Sequence, residues 1–210
     1  MSKISLKHSG GNVVSLNSPT SAPTSADVAF KLPNADGTSG QAIVTDASGN
    51  LSFAATGKIL QVEQTLKKDV YSGNHYGNYN ELTGLSVTIT PTSSSNKLLF
   101  TTGIEYSTET GQLFEVKLYD GSSEITGANS TTGSSSNAWI QHYNKSSSDS
   151  VIADKINIAH GSYLHTVSDT NAHTFKIYIR AGSTTLFINR RQSDGGNGGT
   201  SYLNVMEVAA

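Results

Sequence analysis

From Lys58 onward apolar and polar residues alternate with a period of two. Leu85, Val87 and Ile89 are separated by Ser86 and Thr88, and Leu98, Phe100, Thr102, Ile104 and Tyr106 line one side of the next run. Phe114, Val116 and Leu118 repeat the pattern with Glu115 and Lys117 read as facing out. Phe175, Ile177 and Ile179 alternate with Thr174, Lys176, Tyr178 and Arg180. Such a repeat puts successive side chains on opposite faces of a β-strand, one dry and one wet. Shorter apolar runs at 59–66, 138–143, 156–158, 186–188 and 202–208 read as further strands. Residues 91–96, Asp120-Gly121, 129–136, 146–150, Gly182-Ser183 and 194–199 carry turn and loop chemistry, and His160-Gly161-Ser162 reads as loop. No window of a dozen residues has helical spacing. Roughly eight to ten strands at about 8–12-residue intervals predict an all-β sandwich or jelly roll over 58–210.

The last strand is apolar on both faces. Leu203 and Val205 share one side, and Tyr202, Met206 and Val208 the other. Such a strand needs cover on both sides. One side packs into its own sandwich; the second meets another sheet or another chain, the alternative being that all of these residues are intramolecular core. Tyr202, Met206 and Val208 are therefore candidate contacts between copies.

Ahead of the head domain, residues 31–57 form a different kind of segment. Asn34, Asp36 and Gly37, and then Asp46, Gly49 and Asn50, are turn formers. Between them Gln41-Ala-Ile43-Val44-Thr45 can pair with Leu51-Ser-Phe53-Ala as a short hairpin. A hairpin that small is marginal alone, so its apolar side needs cover, and Phe53 is a candidate for contact with a neighbouring copy. Residues 1–30 hold few apolar anchors. The run at 18–25 is Ser, Thr, Ala and Pro and reads as extended linker. Stretched out, about thirty residues reach on the order of 100 Å. Val13, Val14, Leu16, Val28 and Phe30 are apolar enough to add a strand to a partner's sheet, which makes the arm a candidate docking peptide.

Composition narrows the function classes. Charged residues make up 14% of the chain and the net charge is −2, so there is no cationic footprint for nucleic acid. Lys67-Lys68 and Arg190-Arg191 read as solvated strand ends. Cysteine is absent, which removes disulfides, Cys-ligated zinc and thiol catalysis together. No apolar run approaches membrane-spanning length and 1–11 lacks a signal-peptide core, so the chain reads as soluble, without membrane insertion or a cleaved signal.

Residues 31–54 also carry a resemblance. Leu32, Pro33, Ala35, Asp36, Gly37, Gly40, Gln41, Thr45, Asp46, Gly49, Leu51 and Phe53 follow a pattern that resembles the collar of tail fibres and related appendage proteins of tailed bacteriophages, marine and cyanobacterial ones especially. Residues 58–210 look like the trimeric jelly roll of complement C1q heads and tumour necrosis factors, on the strength of the segments at 83–91, 97–100 and 201–208. Together these imply a homotrimer on a virion, assembled in the host cytoplasm and joined to other particle proteins through 1–30. A tail-fibre-like appendage, a capsid decoration or head-fibre protein, and a free carbohydrate-binding module all remain open.

No catalytic pattern emerges. There is no G-x-S-x-G elbow, and no pair stands out among Glu105, Glu115, Asp120 and Asp154. The six histidines lack metal-motif spacing and read mostly as surface or loop residues. The expectation is a non-enzymatic protein without cofactor or metal. A host-surface glycan is a candidate ligand for Tyr71, His75, Tyr76 and Tyr79, which interleave with Asn74, Asn78 and Asn80; Arg190 and Arg191 are a weaker candidate patch. The same composition also suits a plain solvent-facing loop or a seam between subunits.

Overall fold

The computed structural model describes residues 3–7, 9–11, 13–17, 21, 30–38, 41–46, 48–55, 58–108, 113–131, 137–143, 155–182, 185–193 and 198–210. The chain divides into two compact units, Met1–Thr56 and Gly57–Ala210.

In the first unit, β1 (Lys3–Lys7) pairs antiparallel with β2 (Val13–Asn17). The strand-like alternation of Ile4, Leu6, Val13, Val14 and Leu16 thus lies on two paired strands, and this part of the arm doubles back on itself. The reason lies in Gly10-Gly11: Gly11 has φ 91, a left-handed conformation that reverses the chain and that glycine adopts without a Cβ clash. Val13, Val14 and Leu16 lie on β2, Phe30 is exposed, and Val28 lies outside the described residues. The second hairpin pairs β3 (Gln41–Thr45) with β4 (Leu51–Ala55). Asp46 closes it, its carboxylate accepting from the Ser48 and Asn50 backbone N–H groups at 2.8 and 3.1 Å. These bonds and the Asn50 side chain hold the Asp46 carboxyl below the usual range.

The second unit is a sandwich of two antiparallel sheets. Its elements are β5 (Ile59–Lys67), β6 (Tyr71–Gly73), β7 (Asn80–Ile89), β8 (Lys97–Thr108), β9 (Leu113–Asp120), β10 (Ser123–Glu124), a 3-10 turn at Thr126–Ala128, β11 (Ile140–Tyr143), β12 (Asn157–Thr166), β13 (His173–Ala181), β14 (Leu186–Ile188) and β15 (Ser201–Val208). One sheet runs β7-β13-β9, with β10 and β11 sharing the far edge of β9. The other runs β12-β8-β15-β5, with β14 pairing the end of β8 past β15 and β6 pairing β14. The chain passes repeatedly between the sheets, at β6–β7, β7–β8, β8–β9, β11–β12, β12–β13 and β13–β14, so that the long strands read β5-β15-β8-β12 over β7-β13-β9-β11, a jelly roll. Among the described residues no helix is long and apolar enough to cross a membrane.

The alternating side chains meet between the sheets. Phe100 and Phe175 touch edge-to-face with centroids 4.6 Å apart, and Tyr106 stacks on Phe114 at 3.9 Å. Leu203 and Val205 of β15 are fully buried in this core. Burial pushes the Tyr106 hydroxyl up to about 12.

Several polar residues lie deeper than their sequence context suggested. Glu115, expected to face solvent, is fully buried: Arg180 Nε lies 2.8 Å from Oε2, and Gln141 Nε2 and the Tyr79 hydroxyl donate to the carboxylate at 2.8 and 3.0 Å. Lys67 is 4% exposed rather than a solvated strand end, its Nζ donating to Asp69 and to the Thr83 carbonyl at 2.7 and 2.9 Å. His160, Gly161 and Ser162 lie inside β12 and not in a loop; Gly161 is held there because a Cβ would enter the Ile140 side chain.

Glu207 is the clearest stabilising polar group. It is fully buried and accepts from Thr92 N, Thr92 Oγ1, Asn96 Nδ2 and Gln61 Nε2 at 2.6–2.8 Å. Burial works to raise its carboxyl pKa, but the bonds from Asn96, Thr92 and Gln61 outweigh it and the value is lowered. A depressed folded value stabilises fully above the ordinary 4.5 and is lost as pH falls through the folded value. Glu207→Ala should therefore cost about 3 kcal/mol at neutral pH. Thermal melts of parent and variant should draw together as pH falls below 4.5. A gap that stayed constant across this range would remove the ionised carboxylate from the account.

Candidate functional site

The two sheets present very different outer faces. Beyond β13 and β9, the first carries Lys176–Glu81 at 2.9 Å, Lys117–Glu124 at 2.7 Å and Arg180–Glu115, with Tyr119 stacked on Tyr178 and the Thr88 and Thr174 hydroxyls paired at 2.9 Å. Its charges find partners within the chain, as a finished, solvated surface requires.

The second sheet's outer face is unfinished. Cross-strand partners share a face, so the register places its side chains in rows. Val62, Met206, Leu99 and Leu164 form one row across β5, β15, β8 and β12. Gln64, Asn204, Thr101 and Ser162 form the next, joined by Gln64 Nε2 to Asn204 Oδ1 at 2.8 Å and Asn204 Nδ2 to Thr101 Oγ1 at 3.2 Å. Leu66, Tyr202, Gly103 and His160 form the third. Here the Tyr202 ring lies over Gly103, where a Cβ would collide with it. Ile59 is 53% exposed, Val62 56%, Leu66 44%, Ile158 45% and Leu164 47%, values at which aliphatic side chains still gain from cover. Lys97 and Glu105 are the charged residues among the paired positions of this face. A broad, apolar, charge-poor sheet face marks an interaction surface.

Of the residues singled out for contact between copies, Tyr202, Met206 and Val208 are half-buried and share this face. Phe53 belongs to the first unit, where a Cβ on Gly37 would strike its ring. The face also includes Val62, Leu66, Leu99 and Leu164, which are not among the contact residues expected from the last strand. Their signal was available: Val62 and Leu66 sit four apart on one strand with Gln64 between them, which is one side of a strand.

The tyrosine-rich loop is not a row of presented rings. His75 is 2% exposed, its Nε2 2.9 Å from the Tyr71 hydroxyl, and burial pushes its imidazole pKa down. The expectation of a surface histidine fails because the chain from 75 to 76 runs against β13, with Ala181 N donating to the His75 carbonyl at 3.1 Å. Tyr79 gives its hydroxyl to Glu115, and Lys117 Nζ lies 4.5 Å from its ring centre. Only Tyr76, at 65% exposure, points freely outward among these four. Arg190 lies over the Phe187 ring at 5.1 Å and donates from Nε to the Arg191 carbonyl, while Arg191 is half-buried. The structure thus does not gather these six residues into one ligand surface. Among the described residues no three His, Asp or Glu side chains are placed to hold a metal ion.

No family model matches the chain, and no curated protein matches it. Solved structures with a similar arrangement include Eiger TNF from S. frugiperda, 8% identical, with a TM-score of 0.40 over 73% of this chain and 94% of that one. Another is the VP2 subviral particle of infectious bursal disease virus, 12% identical, with a TM-score of 0.36 over 80% of this chain and 42% of that one. The present chain thus spans less than half the length of that VP2.

Proposed function

We propose that the chain is a structural protein of a bacteriophage particle: a non-enzymatic homotrimeric appendage of the tail-fibre type, held through its N-terminal unit and displaying its sandwich outward. The observation that carries the self-association is the unfinished face of β5, β15, β8 and β12. A solvated monomer has no use for Val62, Leu66, Leu99, Leu164 and Met206 on one charge-poor surface. Three copies, rather than two, rest on the resemblance of 58–210 to C1q and tumour necrosis factor heads, with closed cyclic contact leaving no apolar face over. The phage assignment rests on the collar pattern at 31–54.

The hairpin of β1 and β2 draws in part of the arm and so shortens its reach. A short tether favours an appendage seated close to the particle, and a capsid decoration is the second reading for that reason. Deleting residues 1–30 tests attachment. The truncated chain is expected to stay trimeric and to be missing from purified particles. Normal incorporation of the truncated chain would sink docking through the arm. A label at Ala210, located by electron microscopy of particles, separates tail from shell.

A further inference from the structure

The sandwich has a second feature, distinct from the open sheet face. Between the edge of β12 and the β10 turn lies a cleft of about 470 Å³, within the range of small-molecule sites. Tyr163 and His165 point into it from β12, their ring centres 6.1 Å apart and tilted by 41°. Phe175 backs His165 edge-on, which fixes the wall. Gly127 lies against Tyr163, and a Cβ there would strike the Tyr163 hydroxyl, so the absence of a side chain leaves room for this ring where it stands.

Asp120 and Glu124 stand at its rim, and each is already engaged by a basic side chain. Asp120 Oδ2 lies 2.6 Å from His173 Nδ1, and Glu124 Oε1 lies 2.7 Å from Lys117 Nζ. Burial disfavours the charged form of His173, but Asp120 and Asp169 outweigh it and raise its pKa; burial pushes His165 the other way, toward the neutral ring. Exposed Ser123, Thr126 and Thr166 add hydroxyls around the mouth.

This combination discriminates among ligands. An anion would meet two carboxylates. A hydrocarbon would bury acceptors and hydroxyls without partners, at a cost of about 1–3 kcal/mol each. A free cation would have to displace His173 Nδ1 and Lys117 Nζ from the carboxylate oxygens they already engage. A ligand with many hydroxyls, no charge and an apolar ring face satisfies the acceptors, the hydroxyls and the aromatic wall together. We infer that this cleft binds a neutral saccharide unit. The inference keeps the glycan contact contemplated for this protein but moves it from the tyrosine-rich loop to β12 and β10. It extends the appendage reading without depending on which particle surface carries the chain.

The test is saturation-transfer NMR on the full chain with glucose, galactose, mannose and their N-acetylamino forms. At least one of these neutral sugars should show transfer that saturates as its concentration is raised. Thr126→Trp and Thr166→Trp place bulk at exposed positions of the mouth and should weaken binding by about tenfold or more, as loss of a pocket contact does. Tyr163→Phe, which removes one hydroxyl and keeps the ring, should weaken it less. Sedimentation of the tryptophan variants should match the parent, which separates failure of the cleft from failure of the assembly. No transfer to any neutral sugar overturns the inference. So does transfer undiminished by either tryptophan, a preference for sialic acid, or binding that a chelator abolishes.

Discussion

A chain carrying Met206→Arg is expected to fold and to sediment as a single subunit where the parent sediments as a trimer. Met206 sits at the centre of the apolar row, between Val62 on β5 and Leu99 on β8. In one chain it is half-buried, so an arginine can lay its methylenes over the same neighbours and keep its guanidinium in water. The fold then loses little. In the assembled state three guanidiniums would be trapped in a surface with few charges to answer them. Burying an unpaired charge costs several kcal/mol each, more than a half-exposed aliphatic side chain gains by cover. Dissociation with unchanged circular dichroism supports the account. A trimer that tolerates the arginine, measured by sedimentation velocity at matched concentration, would place the contact elsewhere.

The largest expected effect on the fold itself is at Asn189. It is fully buried with φ 58, among the described residues the one non-glycine in the left-handed region. Its Nδ2 donates to the Lys67 and Asp69 carbonyls at 2.8 and 3.0 Å, and its Oδ1 accepts from Ser201 Oγ at 2.7 Å. Its own N–H reaches the Glu105 carbonyl at 2.9 Å, and its carbonyl accepts from Gly199 at 3.1 Å. One residue thus ties the end of β14 to β5 and β15 through its side chain and to β8 through its backbone N–H. Asn189→Gly keeps the backbone conformation and loses the three side-chain bonds, which should cost about 2–4 kcal/mol in unmade hydrogen bonds. Asn189→Val adds a β-branched residue at positive φ and should cost about 1–3 kcal/mol more. Urea unfolding at fixed subunit concentration reads both, since assembly contributes to apparent stability. If glycine and valine proved equally mild, with losses under about 1 kcal/mol, Asn189 would be a bystander.

How much of this was legible in the sequence depends on how far each residue's environment lies along the chain. The alternations on β8, β9 and β13 were legible because burial on one face writes a period of two directly into the residues. β12 was not, since Asn157, His160, Ser162 and Thr166 sit among its apolar positions and its central Gly161 reads as a break. In the first hairpin the apolar alternation at Ile4, Leu6, Val13, Val14 and Leu16 is legible as strand, but its pairing depends on the Gly10-Gly11 turn, which no apolar pattern marks.

Buried polar residues were the main casualties. Glu115 looks like a solvent-facing residue until Arg180 and Gln141 arrive from other strands, and Lys67 until Thr83 does. His75 looked like part of a ligand loop until β13 passed over it. Of the open face, the apolar second side of β15 was legible, because that strand is apolar throughout. The partners of Tyr202 and Met206 on β5, β8 and β12 required the register, which no local pattern supplies.

The account stands on one surface being incomplete in a single chain. Sedimentation equilibrium of the full chain at micromolar concentration measures this most directly. The predicted result is a single species at three times the 22.1 kDa of one chain. A stable, folded species at 22.1 kDa under the same conditions would contradict it.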